Sequence, residues 1–208
     1  MNVIDIDSKS PCVPPFDGHA AEEEQPKARD LGSVVDALCD ANYGLTRSGI
    51  NGDRRHILPS RDEVTNIVEQ LRSVMFPGYF GNPELTKENI KFHVGATLDR
   101  VLRQLREQVK RGFCFVCEKA DPACAHCETR ANLTTREFLN RLPELRRLLA
   151  TDVQAAFEGD PAATQPDEAI FCYPGIFALT NQRLAHELHR LEVPLLPRII
   201  TEHAHSIT

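Results

Sequence analysis

Apolar residues recur along most of this chain at intervals of three and four, the spacing that puts them on one face of an α-helix. The longest such stretch covers residues 86 to 110, where Ile90, Val94, Leu98, Val101, Leu102, Leu105 and Val109 share a face and Lys and Arg fill the opposite side. A second runs through Val64, Ile67, Val68, Leu71 and Met75 and is stopped by Pro77-Gly78. A third, through Leu145, Leu148, Leu149, Val153 and Phe157, follows Pro143 and closes at Gly159. Hydroxyl residues three positions before a carboxylate, Ser33 with Asp36, Ser60 with Glu63 and Thr134 with Glu137, read as helix starts. No stretch alternates as a half-buried strand does. The pattern predicts an all-α fold of about six or seven helices, with no sheet of more than two short strands. Leu195, Leu196, Ile199 and Ile200 also fall at helical spacing near the end of the chain, so a packing face is expected there, covered by something beyond it.

Composition changes this picture little. With 208 residues, 41% apolar and 26% charged, the chain has the make-up of a soluble globule. A formal charge of −6 argues against a nucleic-acid surface. Residues 1–30 are acidic, rich in proline and without an apolar segment; they read as a disordered arm ahead of a helical domain over 31–208, and as neither signal peptide nor membrane anchor. A cytoplasmic protein is expected. Asn132-Leu133-Thr134 has the form of a glycosylation acceptor, which has no use without secretion.

Seven cysteines, an odd number, point to metal or free thiols rather than a disulfide framework. Four of them, Cys114, Cys117, Cys124 and Cys127, are spaced C-x2-C-x6-C-x2-C in a segment, 112–130, expected to be a loop between helices. Two residues between thiols let one turn aim both sulfurs at one ion, and two such turns complete a tetrahedral shell. Structural zinc is the leading reading, with an iron–sulfur cluster and plain thiols as the others. Lys110, Arg111, Lys119 and Arg130 are close in sequence to offset the charge of four thiolates. Such a closed shell leaves no position for a substrate. His186 with His189, and His203 with His205, lack a partnering carboxylate motif and read as ordinary helix residues, while Cys39 and Cys172 read as buried small hydrophobes. Asp160, between Gly159 and Pro161, is a turn aspartate in a rigid setting that would also suit a carboxylate facing an ammonium group. No phosphate-cradling loop, nucleophile elbow or triad stands out.

Several motifs occur in a recognisable order: Asp152-Val153-Gln154-Ala155, Gly159-Asp160-Pro161-Ala162, Tyr173-Pro174-Gly175, Arg183-Leu184-Ala185-His186, and Pro197-Arg198-Ile199 before His203-Ala204-His205-Ser206. In this order they resemble the end of the N-terminal helical domain of serine O-acetyltransferases, strongly over 151–208 and more loosely from about residue 60. The resemblance implies acetyl transfer from acetyl-CoA to L-serine, the first step of cysteine synthesis, with a histidine as general base. It places that histidine and the acetyl-CoA site in a left-handed β-helix following the helical domain, so no catalytic residue is assigned within these residues and the chain alone is expected to be inactive. Asp160 matches the aspartate that reaches toward the substrate serine. Association into a homo-oligomer and with cysteine synthase is also implied. Two positions depart from the family: Gln182 stands where relatives usually carry Tyr, and Glu192 where a Gly often precedes Val-Pro. The alternative is a non-catalytic, metal-stapled helical module or the remnant of a truncated gene.

Overall fold

The computed structural model describes residues 30–40, 58–81, 84–117 and 124–208. The expected arm, apart from its last residue, lies outside them. Seven helices form among the described residues and no strand, only an isolated bridge between Pro77 and Phe80. The all-α expectation holds. The chain divides into two compact units, 1–47 and 48–208, and the first helix lies in the N-terminal one.

That helix, α1 (Leu31–Asp40), starts differently from expectation. Asp30 accepts the Ser33 N–H at 2.7 Å and the Ser33 hydroxyl donates back to the Asp30 carbonyl at 3.0 Å. The carboxylate acceptor therefore precedes the hydroxyl, and the Ser33–Asp36 box does not form.

In the second unit, α2 (Arg61–Met75) begins as expected, with the Ser60 hydroxyl accepting the Glu63 N–H at 3.3 Å. The reciprocal bond comes from elsewhere: the Ser60 N–H donates to Oε1 of Gln108 at 2.8 Å, a buried side chain on α3 (Ile90–Val116). The start of α2 is thus fixed by tertiary contact. α3 begins after a turn in which Thr86 and Asn89 bond each other, and it extends past residue 110 through Cys114. α4 (Ala125–Gly159) corrects two further readings. Thr134 and Pro143 both lie inside this helix rather than at starts. Pro143 is on the exposed side, where the hydrogen bond it cannot make is replaceable by water. α5 (Pro166–Cys172), α6 (Pro174–Arg190) and α7 (Leu196–Ile207) each carry proline in the first turn.

α2 packs on α3 and α7, α3 on α4, and α4 on α5 and α6, with α6 against α7. The shared core holds Val101, Val109, Phe138, Leu149, Leu184 and Leu196, all fully buried. The terminal apolar face therefore finds its partner inside the chain, since Leu196, Ile200 and Ala204 are buried against α2 and α6. Only Leu195 and Ile199 remain partly open, in an apolar groove with Leu58, Pro59 and Phe115.

Two residues of the turn between α6 and α7 are left-handed, Glu192 at φ 56° and Leu195 at φ 67°. The turn is closed by the Glu192 N–H donating to the His189 carbonyl at 2.8 Å and the Val193 N–H to Leu188 at 3.0 Å. It lies directly on α3: a Cβ on Gly112 would come within 2.7 Å of the Pro194 carbonyl oxygen, so only glycine fits this approach.

Candidate functional site

Asp160 caps the C-terminus of α4, and both of its oxygens have partners. Oδ1 accepts the Ala162 N–H at 2.9 Å, which forms the turn into Pro161, and Oδ2 accepts the Tyr173 hydroxyl at 2.5 Å. The two bonds, Tyr173 first, hold the Asp160 carboxyl below its usual range, while the carboxylate pushes the Tyr173 hydroxyl up to about 12. An ionised carboxylate offers about four lone-pair sites. Two remain for a cationic ligand. Tyr173 sits at the junction of α5 and α6, so the turn aspartate is tied to the start of α6. A parallel bond ties a distant tyrosine to α5: Tyr79 donates to Asp167 at 2.5 Å and is likewise pushed up to about 12.

Two of the ordered motifs meet in space. Arg183 on α6 holds Asp152 on α4 through both guanidinium arms, Nε to Oδ2 and Nη2 to Oδ1, each at 2.5 Å. This bidentate, partly buried pair locks the two helices in register. Arg183 also lines an open cavity of about 650 Å³ together with Arg141, Glu144, Leu145, Gln182 and Glu187. Arg141 bridges Glu187 at 2.8 Å and Glu137 at 3.1 Å. Burial works to raise the Glu187 carboxyl, but Arg141 and Arg190 outweigh it and leave the group below its usual value. The Asp152–Arg183 pair was not legible as a site before the helices were paired, since each motif carried one partner only.

The cysteine segment is two helix ends more than a loop. Cys114 lies in the last turn of α3, Cys117 caps it, Cys124 precedes α4 and Cys127 is in its first turn. The sulfurs of Cys117, Cys124 and Cys127 lie within 4.8 Å of one another, and Cys114 reaches Cys127. All four are free thiols. Burial pushes Cys127 and Cys114 up, whereas the backbone N–H of Cys127, directed at its sulfur, holds Cys124 down. His126 is exposed and stays out of the group, and His186, His189 and His205 are exposed on their helices. Cys39 and Cys172 are also exposed, which corrects their reading as buried hydrophobes: Cys172 lies on the open side of α5, and the described side chains of α1 are exposed all round.

No family model matches this chain. A plasmid serine acetyltransferase of Synechococcus elongatus is 43% identical over 183 residues, 86% of this chain and 57% of that protein. The crystal structure of Entamoeba histolytica serine acetyltransferase 1 in complex with L-cysteine matches with a TM-score of 0.54 and 28% identity, over 68% of this chain and 46% of that one. Isoform 3 of the same organism, in complex with cysteine, shares the fold at a TM-score of 0.55 and 20% identity, over 85% of this chain and 55% of that one. This chain thus spans about half the length of these relatives.

Proposed function

Starting from a chain that is a homologue of the serine acetyltransferases, we propose that it is the helical, serine-contacting part of a serine O-acetyltransferase. The observation that carries this is the 43% identity sustained over 183 residues, far more than one shared motif. In this reading L-serine is the acceptor and acetyl-CoA the co-substrate, and the serine hydroxyl attacks the thioester carbonyl while a general base takes its proton. That base and the acetyl-CoA site belong to the β-helix that the family resemblance implies. This chain contributes orientation. The Asp160 carboxylate, kept ionised and aimed by Tyr173 and the Ala162 N–H, pairs with the serine ammonium through its remaining lone pairs. The Asp152–Arg183 clamp holds α4 against α6, and so holds Asp160 against Tyr173. The complete protein is read as a cytoplasmic homo-oligomer assembled through the helical domain, with cysteine synthase as partner.

The test joins residues 1–208 to the part of the Synechococcus relative that lies beyond the matched segment and follows serine-dependent release of CoA. The joined protein is expected to be active and the 208-residue chain alone inactive. Asp160→Asn keeps size and removes charge, so the serine half-saturation rises roughly tenfold to a hundredfold with acetyl-CoA binding nearly intact. A folded joined protein without serine-dependent release would overturn the enzymatic reading and favour a non-catalytic helical module stapled at its thiols. Unchanged serine kinetics in Asp160→Asn would leave Asp160 as a turn residue only.

A further inference from the structure

We propose that Cys114, Cys117, Cys124 and Cys127 bind one zinc ion, which fastens the end of α3 to the start of α4 and sets the position of the turn between α6 and α7. The inference stands whether or not the chain takes part in acetyl transfer.

Size decides first between the metals. A zinc–sulfur distance of about 2.3 Å puts the sulfurs of a tetrahedral shell about 3.8 Å apart. Three of the four already lie within 4.8 Å of one another with no ion present, and the fourth, Cys114, reaches Cys127. An iron–sulfur cluster needs several irons and sulfides between the same thiols and therefore a wider cage. Burial points the same way: Cys114, Cys124 and Cys127 are 4%, 6% and 2% exposed, which suits a closed structural site and leaves no open position for a substrate.

Charge is provided for. On binding, each thiol loses its proton to solvent and no electron moves, so zinc with four thiolates carries two negative charges. The Lys110 ammonium acts on Cys114 from within α3 and is held by Glu128 of α4 at 2.6 Å. The first N–H groups of α4 face Cys124.

The site also reaches the end of the fold. Arg130, three residues past Cys127, lies over the Phe113 ring beside Cys114, 4.1 Å from its centroid. The same guanidinium pairs with Glu192 at 3.1 Å, and Gly112 touches the Pro194 carbonyl. The stapled helix ends are therefore the platform under the left-handed turn that leads into α7.

The experiment measures zinc and iron in the 208-residue chain purified without added metal. Close to one zinc per chain is expected, retained in Cys39→Ser/Cys172→Ser and lost in Cys114→Ser/Cys117→Ser. Because the latter variant can fail to fold, wild type is also treated with a chelator. Four thiols should become reactive while the helical circular dichroism persists, and added Zn²⁺ should protect them again. Co²⁺ in its place should give the visible absorption of a tetrahedral thiolate site. Amide exchange in residues 191–196 should quicken on zinc removal, and unchanged exchange there would overturn the link to the turn. Equal trace metal in wild type and the box variant, iron with labile sulfide, or thiols equally reactive with and without zinc would each overturn the site.

Discussion

Gly112 and Gly95 both lie inside α3, and replacing each by alanine should move stability in opposite directions. Alanine favours a helix interior over glycine by about 1 kcal/mol. At Gly95, exposed and with nothing within 4 Å of a new Cβ, that gain is the whole effect. At Gly112 the new carbon would meet the Pro194 carbonyl oxygen at 2.7 Å and Leu196 Cδ1 at 3.4 Å. The first contact is about 0.7 Å short of ordinary van der Waals approach, and the oxygen belongs to backbone in a turn already holding two left-handed residues. Overpacking of this kind costs about 1–3 kcal/mol, which outweighs the propensity gain. Gly95→Ala should therefore gain about 1 kcal/mol and Gly112→Ala lose up to about 2 kcal/mol. Urea unfolding followed by circular dichroism, with zinc present throughout, reads both; for a unit of this size each kcal/mol moves Tm by about 2–4 °C. If Gly112→Ala gains as much as Gly95→Ala, the close approach of α3 to the α6–α7 turn does not exist.

Two of the chain's three tyrosines, Tyr79 and Tyr173, should ionise late, at about 12, because each donates its hydroxyl to a carboxylate that favours the neutral form. Their folded values lie above the unfolded value near 10, so this stabilisation is complete below about pH 10 and is lost as pH rises through 12. Absorbance titration of tyrosinate checks it: Asp160→Asn and Asp167→Asn should each bring one tyrosine down, and all three ionising together near 10 would defeat the reasoning. Thr135 on α4 is fully buried with no partner for its hydroxyl, so Thr135→Val should raise stability by about 1 kcal/mol, and a loss on thermal unfolding would mean the hydroxyl has an acceptor after all.

What could be read in advance was local. The apolar face of α2, at Val64, Ile67, Val68, Leu71 and Met75, is buried as its spacing requires, and the four thiols converge because two short motifs each bring a pair together. Joints between elements were harder. Pro143 looks like a helix start because most interior prolines break helices, yet packing of Leu142, Leu145 and Leu149 on one side carries α4 straight through it. Asp152 and Arg183 stand 31 residues apart, and their meeting depends on how α4 and α6 pair, which no window of sequence contains. Cys172 sits in an apolar stretch but on the outward side of a seven-residue helix too short to show its phase.

The departures from the family pattern take on a different meaning once the backbone is known. Glu192 stands where the sequence resemblance leads one to expect a glycine, and at the level of sequence that change counts against an intact function. Its φ of 56° gives the position a conformational reading: it closes α6 in the left-handed region, where a Cβ costs about 1 kcal/mol or more. The requirement is conformational and no catalytic group is lost. Glutamate brings its own compensation by pairing with Arg130, although an exposed pair of this kind contributes at most about 1 kcal/mol. Gln182, the other departure, is an exposed residue lining the open cavity on α6 and removes nothing from the Asp152–Arg183 clamp beside it. Neither change touches Asp160 or Tyr173. The strain accepted at position 192 falls instead on the turn that rests over the thiol site, and Arg130, paired with Glu192 and lying over Phe113, joins the two.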